Sequence, residues 1–336
     1  MNITDLTGGT PQRVRSNNLN LVCHYLRTEG ALSCTELALL LGLSNPALGK
    51  ITDELYALGI IVQTNASAAA KKGRRPVRYA LNPGRAVSLT VDFTNAAFRY
   101  YDITGRIRLE GRFPDTAYYP QKLYALLADI RDQGKAVGLP LVGVFCAIRG
   151  KVSFDGTVIL SQTFTKDINL QAVFKEVFGV PAVIANDIYF ALAAGKETYN
   201  NAMYLHIGKG VSCSLVLAGQ PYLGSTGFAG EIGLNRLPGG GTVEDALRLP
   251  ASPERIRAAI DGIFNFMLTM DFETVLIACG DAAAYELIKG RLTEKIRISG
   301  TIKTRIIPSA FQDIEDGLRN TALKETHQML IADRGK

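Results

Sequence analysis

Apolar residues change their spacing along this chain of 336 residues. Near the amino terminus they recur three and four apart, as one face of a helix requires. Leu19, Val22 and Leu26, with Leu21 and Tyr25 alongside, predict a helix over 17–28 that ends at Glu29-Gly30. Ser33-x-x-Glu36 is a capping box, in which the serine oxygen takes an orphan amide and the glutamate reaches back. The helix it opens, 34–41, packs through Leu37, Leu40 and Leu41. Gly42 supplies a turn, Ser44 caps the next helix, and Pro46 sits in its first turn, where a missing amide costs little. Leu48, Ile51, Leu55 and Leu58 form its buried stripe, leaving Asn45, Ala47, Gly49, Lys50 and Asp53 on the other face. Gly59 ends it. Ile60-Ile61-Val62 and residues 77–81 then read as two strands flanking Lys71-Lys72-Gly73-Arg74-Arg75-Pro76.

Helix, short turn, second helix, then two strands around a basic tip is the order of a winged helix-turn-helix, a DNA-reading device. The blander alternative is a three-helix core domain followed by a solvated linker. Beyond residue 85 the pattern turns to short apolar runs. Residues 88–93, 98–102 and 106–112 read as a strand meander with Thr104-Gly105 as a turn. Residues 142–147 and 182–185 are continuous apolar runs, as strands covered on both faces require. Helices are predicted over 121–133, 170–178 and 187–196. Residues 202–207 and 211–218 form a strand pair, and 313–329 a final helix. Alternation of this kind is α/β.

Charge changes the picture once it is divided. Residues 1–85 hold ten Lys/Arg against five Asp/Glu, and residues 86–336 hold 27 against 26. From Leu55 to Val91 there are six basic residues and no acidic one. A basic amino-terminal unit meeting a polyanion, joined to a nearly neutral body, fits that split. The five cysteines are scattered, with no CxxC pair, which argues for buried thiols rather than zinc or disulfides. No apolar run reaches the roughly 18–20 residues of a membrane helix. The amino terminus lacks a signal pattern, so a cytoplasmic location without membrane contact is expected.

Several stretches carry a family resemblance: GRRPVRYALNP, VGVFCAIRGKVSFDGTVILS, FGVPAVIANDIYFALAAGKE and MYLHIGKGVSCSLVLAGQPYLGSTGFAGEIG. Together they resemble the ROK family, which contains sugar-responsive transcription repressors and sugar kinases. The capped helix-turn-helix resembles the repressor branch. The resemblance implies a winged helix-turn-helix over 1–82 and a two-lobed, actin-like (ribonuclease H-like) α/β domain over 83–336. Its first lobe would be 83–196 with the final helix 311–332, and its second 197–310, trimmed because about a hundred residues follow Glu231.

Kinases of this family hold ATP phosphates on a DxGGT turn, where glycine lets backbone amides approach closely. Here the stretch is Asp92-Phe93-Thr94-Asn95-Ala96, and the second turn is Gly208-Lys209-Gly210-Val211-Ser212. Side chains at Thr94 and Asn95 would crowd a phosphate, so an enzyme is not expected. Asn186-Asp187 and Glu231 match sugar-binding positions, although Asp187 also reads as an ordinary helix cap. Glu244 is a weaker match to a glutamate closing the sugar site. Leu234 stands where the family has a zinc-site histidine, and the cysteine-rich zinc loop is missing, so no cofactor is expected.

The resulting expectation is a transcriptional regulator, a repressor of carbohydrate-use genes. Ser44, Asn45, Lys50, Lys71, Lys72, Arg74 and Arg75 would contact a double-stranded DNA operator. Asn186, Asp187, Glu231 and Glu244 would hold a sugar or sugar-phosphate effector. The assembly would be a homodimer or homotetramer. The alternatives are a ligand-free dimerisation and docking scaffold, and a sugar kinase with a DNA-binding head.

Overall fold

A computed structural model describes residues 11–64, 77–194, 199–208, 210–248, 251–300, 303–310 and 313–332. The amino-terminal unit contains α1 (Pro11–Thr28), β1 (Leu32–Ser33), α2 (Cys34–Leu41), α3 (Asn45–Ala57), β2 (Ile61–Thr64) and β3 (Arg78–Leu81). The capping box forms as read: Ser33 Oγ accepts from Glu36 N, and Glu36 accepts from Ser33 N. Gly42 ends α2 with φ 64°, the left-handed region where glycine costs least. Leu19, Val22, Leu37, Leu48 and Leu55 meet in one core. Thr52, absent from the predicted stripe, is also fully buried, because its hydroxyl donates to Leu48 O and Gly49 O. The first helix starts well before residue 17, at Pro11.

β2 and β3 pair antiparallel, with β1 on the far side of β3. Arg78 on β3 donates to Ala31 O and Glu36 Oε1, tying the hairpin to the start of α2. Arg85 Nε donates to Leu58 O at 2.9 Å. Two of the six residues in the basic run therefore hold the unit together. The other four, Lys71, Lys72, Arg74 and Arg75, lie outside the described residues.

The body consists of two five-stranded sheets with one topology. The first contains β4 (Val87–Asp92), β5 (Ala97–Asp102), β6 (Ile107–Arg112), β7 (Leu141–Ile148) and β10 (Ala182–Asn186), in the order β10-β7-β4-β5-β6. β4, β5 and β6 run antiparallel, while β7 is parallel to both β4 and β10. A hairpin of β8 (Lys151–Val152) and β9 (Val158–Leu160) follows β7, and α4 (Pro120–Gly134) and α5 (Leu170–Phe178) flank the sheet sequence. A short α6 (Asp187–Ala191) follows β10. It stops well before the predicted residue 196; residues 195–198 lie outside the described ones.

The second sheet contains β11 (Ala202–Ile207), β12 (Val211–Leu217), β13 (Gln220–Tyr222), β14 (Thr274–Cys279) and β15 (Arg305–Ser309). Its order, β13-β12-β11-β14-β15, and its strand senses reproduce the first. The second lobe thus carries a five-stranded counterpart of the first sheet. α7 (Val243–Leu247), α8 (Pro253–Met270) and α9 (Ala282–Ser299) complete the lobe. Each sheet has its own apolar core.

α10 (Asp313–Ala332) crosses between these bodies. Its first half, through Leu318 and Ala322, packs with Phe145 and Phe190. A β-carbon on Gly317 would collide with the Phe190 carbonyl, so α10 approaches α6 at backbone distance. Its last turn puts Leu330 and Ile331 into the core of the amino-terminal unit. Between them, buried His327 bonds Ile103 O through Nε2 at 2.9 Å. Burial pushes its pKa down to about 4, so the imidazole is neutral and Nε2–H is the donor.

Candidate ligand cavity and nucleic-acid face

A cavity of about 210 Å³ opens between the lobes, with Lys151, Asn186, Ser214 and Glu231 in its wall. The Gly-Glu-Ile-Gly stretch has a steric reason. Side chains at Gly230 and Gly233 would collide with the Cys213 and Val211 carbonyls of β12, and Gly230 has φ 95°. These glycines let the loop lie on the strand and aim Glu231 at the cavity. There Glu231 pairs with Lys151, the two side chains being 20% and 12% exposed. Burial lowers the Lys151 pKa to about 8, while Asp187 works to raise it, so the amine remains cationic at neutral pH. Sequence reasoning did not single out Lys151, since a lone lysine in a loop has no spacing to betray it.

Asn186 sits at the end of β10 and caps α6. Its Oδ1 accepts from Ile188 N, and its Nδ2 donates to Gly150 O at 2.7 Å, fixing the loop that presents Lys151. Asp187, one residue on, is outside the cavity wall. Its carboxylate accepts from Thr94 Oγ1 at 3.0 Å and from Ile188 N at 2.9 Å. Burial pushes its pKa up to about 6, against the lowering effect of the Thr94 bond.

The turn at 92–96 is filled by its own side chains. Asp92, 2% exposed, accepts from Thr94 N, Asn95 N and Asn95 Nδ2. Ala96 takes φ 50°, a conformation L residues rarely adopt. Glu244 also stands apart from the cavity wall: Oε2 accepts from Val211 N at 3.1 Å, and Oε1 accepts from Arg248 at 3.0 Å. Of the four residues expected to meet a ligand, the cavity gathers Asn186 and Glu231. Leu234 is 61% exposed. Among the described residues, no group of three or more His, Cys, Asp or Glu side chains is close enough to hold a metal ion.

On the amino-terminal unit, Ser44, Asn45 and Lys50 are all exposed on or beside α3. The Ser44 hydroxyl accepts from Ala47 N at 3.4 Å and so caps the helix. Asp53 shares the exposed side, and Glu54 pairs with Arg15 at 2.6 Å. Among the described residues no helix is long and apolar enough to cross a membrane.

Two sheets of one topology with a cavity between them, joined to a small helical unit, define a two-lobed actin-like α/β protein. Residues 87–289 match the model of the ROK family, and the chain belongs to it. It is 24% identical over 242 residues to the xylose repressor of Caldicellulosiruptor bescii, an alignment covering 67% of this chain and 60% of that protein. With the xylose repressor of Bacillus subtilis (strain 168) the figures are 22% over 234 residues, 66% and 60%. The chain thus spans about 60% of the length of these relatives. Among solved structures, a ROK family transcriptional regulator described as a homologue of the Escherichia coli MLC protein superposes with a TM-score of 0.69. That match has 18% identity and covers 95% of this chain and 99% of the other. A ROK hexokinase from Thermus thermophilus gives 0.58 at 17% identity, covering 71% and 97%.

Proposed function

We propose that this chain is a DNA-binding transcriptional repressor whose two-lobed body senses a small sugar. The observation that carries the reading is α10, which shares one core with α6 beside the cavity and another with the amino-terminal unit. A polar link runs alongside. Asn320 on α10 donates to Ala193 O and Ala194 O just after α6, and Arg27 of α1 donates to Asn320 Oδ1 at 3.4 Å. A ligand that reseats Asn186 at the head of α6 therefore acts on the helix that holds the DNA-binding unit. The fold likeness to the regulator spans nearly the whole chain, whereas that to the hexokinase covers 71% of it. Relatives named xylose repressor support the same reading.

In this reading α3 enters the major groove with Asn45 and Lys50, and Lys71, Lys72, Arg74 and Arg75 contact phosphates or the minor groove. A dimer or tetramer carries two such units, for half-sites one helical turn or a multiple apart. A hundredfold preference of the sugar for the DNA-free state, ~2.7 kcal/mol, suffices for a useful switch. Kinase activity is not part of the reading: Thr94 and Asn95 stand where the kinase turn has glycines, and Glu244 takes the Val211 amide of the second turn.

The test starts from DNA selected from a random pool by the protein itself. Affinity should fall with salt at a slope of about −0.9 per neutralised phosphate, and neutralising the four basic residues should flatten it. Neutral sugars should release the DNA. Asn320→Ala should weaken release several-fold while leaving sugar affinity nearly unchanged. DNA binding that no sugar alters would favour the ligand-free scaffold. Sugar-dependent ATP turnover abolished by Asp187→Ala would favour the kinase.

A further inference from the structure

We infer that the seam between α1 and α10 is an acid-sensitive latch: a neutral His327 holds the amino-terminal unit on the body, and a protonated His327 lets it go. This goes beyond the repressor reading, since it concerns docking alone. Two of the chain's three histidines, His24 and His327, meet at this seam. His327 lies on α10, is 3% exposed, and bonds Ile103 O in the turn after β5. His24 and Arg27 stand one turn apart on the same face of α1. Arg27 reaches Asn320 of α10, and Lys324 follows one turn further along that helix, toward His327. Three elements therefore converge on one imidazole.

The groups facing that imidazole offer a proton no counter-charge. Burial is the main obstacle to protonation, and Arg27 and His24 of α1 add to it as like charges. Burial also lowers the His24 pKa, with Arg27 and Lys324 adding to the effect and Glu29 opposing it. Burial lowers that of Arg27, with Arg319 adding. The carboxylates nearby are engaged elsewhere. Asp102, next to Ile103, accepts from Thr104 N, Arg106 N and Arg108 Nε. Asp316 pairs with Arg319, and Glu325 turns toward α6, where it acts on Tyr189. The sheet beneath, at Ser88 and Gly143, brings no charge. A protonated His327 is thus a buried cation without a counter-ion, and separating α1 from α10 relieves it by letting water in. The docked seam resists weakly. Asn20 Oδ1 on α1 is buried without a partner, and the Arg27–Asn320 bond is long at 3.4 Å. The His327 pKa of about 4 lies below the ordinary 6.5. Docking is therefore at full strength above pH 6.5 and weakens as pH falls toward 4, by about tenfold at pH 5.5.

The experiment is hydrogen exchange by mass spectrometry on the full chain at pH 7 and pH 5.5, each rate divided by its intrinsic value at that pH. Protection in α1 and in the last turns of α10 should fall about tenfold on acidification, relative to β11 and β14 of the second sheet. His327→Gln keeps an N–H for Ile103 O and cannot titrate, so its seam should lose no more protection than its sheet. A fall of the native size in His327→Gln, or no fall in the native chain, overturns the inference. Should His327→Gln fail to fold, Arg27→Gln carries the test. Arg27 is half-buried and has no carboxylate partner among the described residues, so the fold tolerates its loss. Removing its charge should cut the fall by about half, and an undiminished fall overturns the inference. Neither DNA nor sugar is present, so these outcomes are separate from those that test the repressor reading.

Discussion

In the first lobe the turn between strands one and two, β4 to β5, is closed by its own carboxylate. The matching turn of the second lobe, β11 to β12, borrows one from 33 residues further on. Asp92 accepts three bonds within its turn and is almost fully buried. Glu244 gives Val211 N a single acceptor, and its other oxygen faces Arg248 with the side chain 28% exposed. The lobes share a strand order, so the two turns occupy matching places in their sheets. Amides that approach closely enough to cradle a phosphate will take any anion of the right reach. Here the amides of both turns meet carboxylates of the chain itself. The first closure is local and redundant, the second remote and single.

The comparison breaks most sharply at Asp92. Asp92→Ala leaves Thr94 N and Asn95 N without their acceptor in a part-buried turn. Stability should fall by about 3 kcal/mol in equilibrium denaturation, the scale for orphaning buried donors of a charged acceptor. A loss below about 1 kcal/mol would mean that water serves these amides equally well, and the turn is not held by its carboxylate.

Asp187 sharpens the comparison through pH. Its folded pKa of about 6 lies above the ordinary 3.8, so burial disfavours the charged form. The group's contribution is therefore most favourable below the unfolded value and is lost as pH rises through 6. Asp187→Asn keeps the shape and removes the titration. It should raise stability by about 2 kcal/mol at pH 8, with the gain shrinking toward zero below pH 4. Melting curves across that range check the sign. A gain that grows on acidification would mean that the carboxylate is stabilised by its bonds from Thr94 and Ile188.

How far such features can be read from the chain depends on how local they are. The bounds of α2 and α3 were legible because Ser33, Gly42, Ser44 and Gly59 mark them chemically. Asn186 and Glu231 were legible because motifs carry them. β14 and β15 were not, since short apolar runs such as Thr274–Cys279 look the same in a strand and a buried helix. α6 was read too long because its apolar pattern continues past the point where the chain leaves the helix. Lost glycines pointed to an altered turn at 92–96, but the bonds that Asp92 makes within it are seen only in the folded chain. Lys151 and Ser214 carry no periodicity. Only the folded chain brings a loop lysine, a strand serine and Glu231 to one cavity.

The smallest effect belongs to the second turn. Glu244→Ala removes one backbone bond and one partly exposed ion pair, so the loss should be about 0.5–1 kcal/mol, well below that of Asp92→Ala. Its value lies in what it exposes. With Glu244 gone, Val211 N is free to receive an anion, whereas the first turn stays closed by Asp92. Inorganic phosphate should then give a small rise in melting temperature in Glu244→Ala and none in the native chain, and the rise should vanish at high salt. Equal responses in the two proteins would mean that Glu244 does not guard the turn, and that its bond to Val211 is only a brace between α7 and β12.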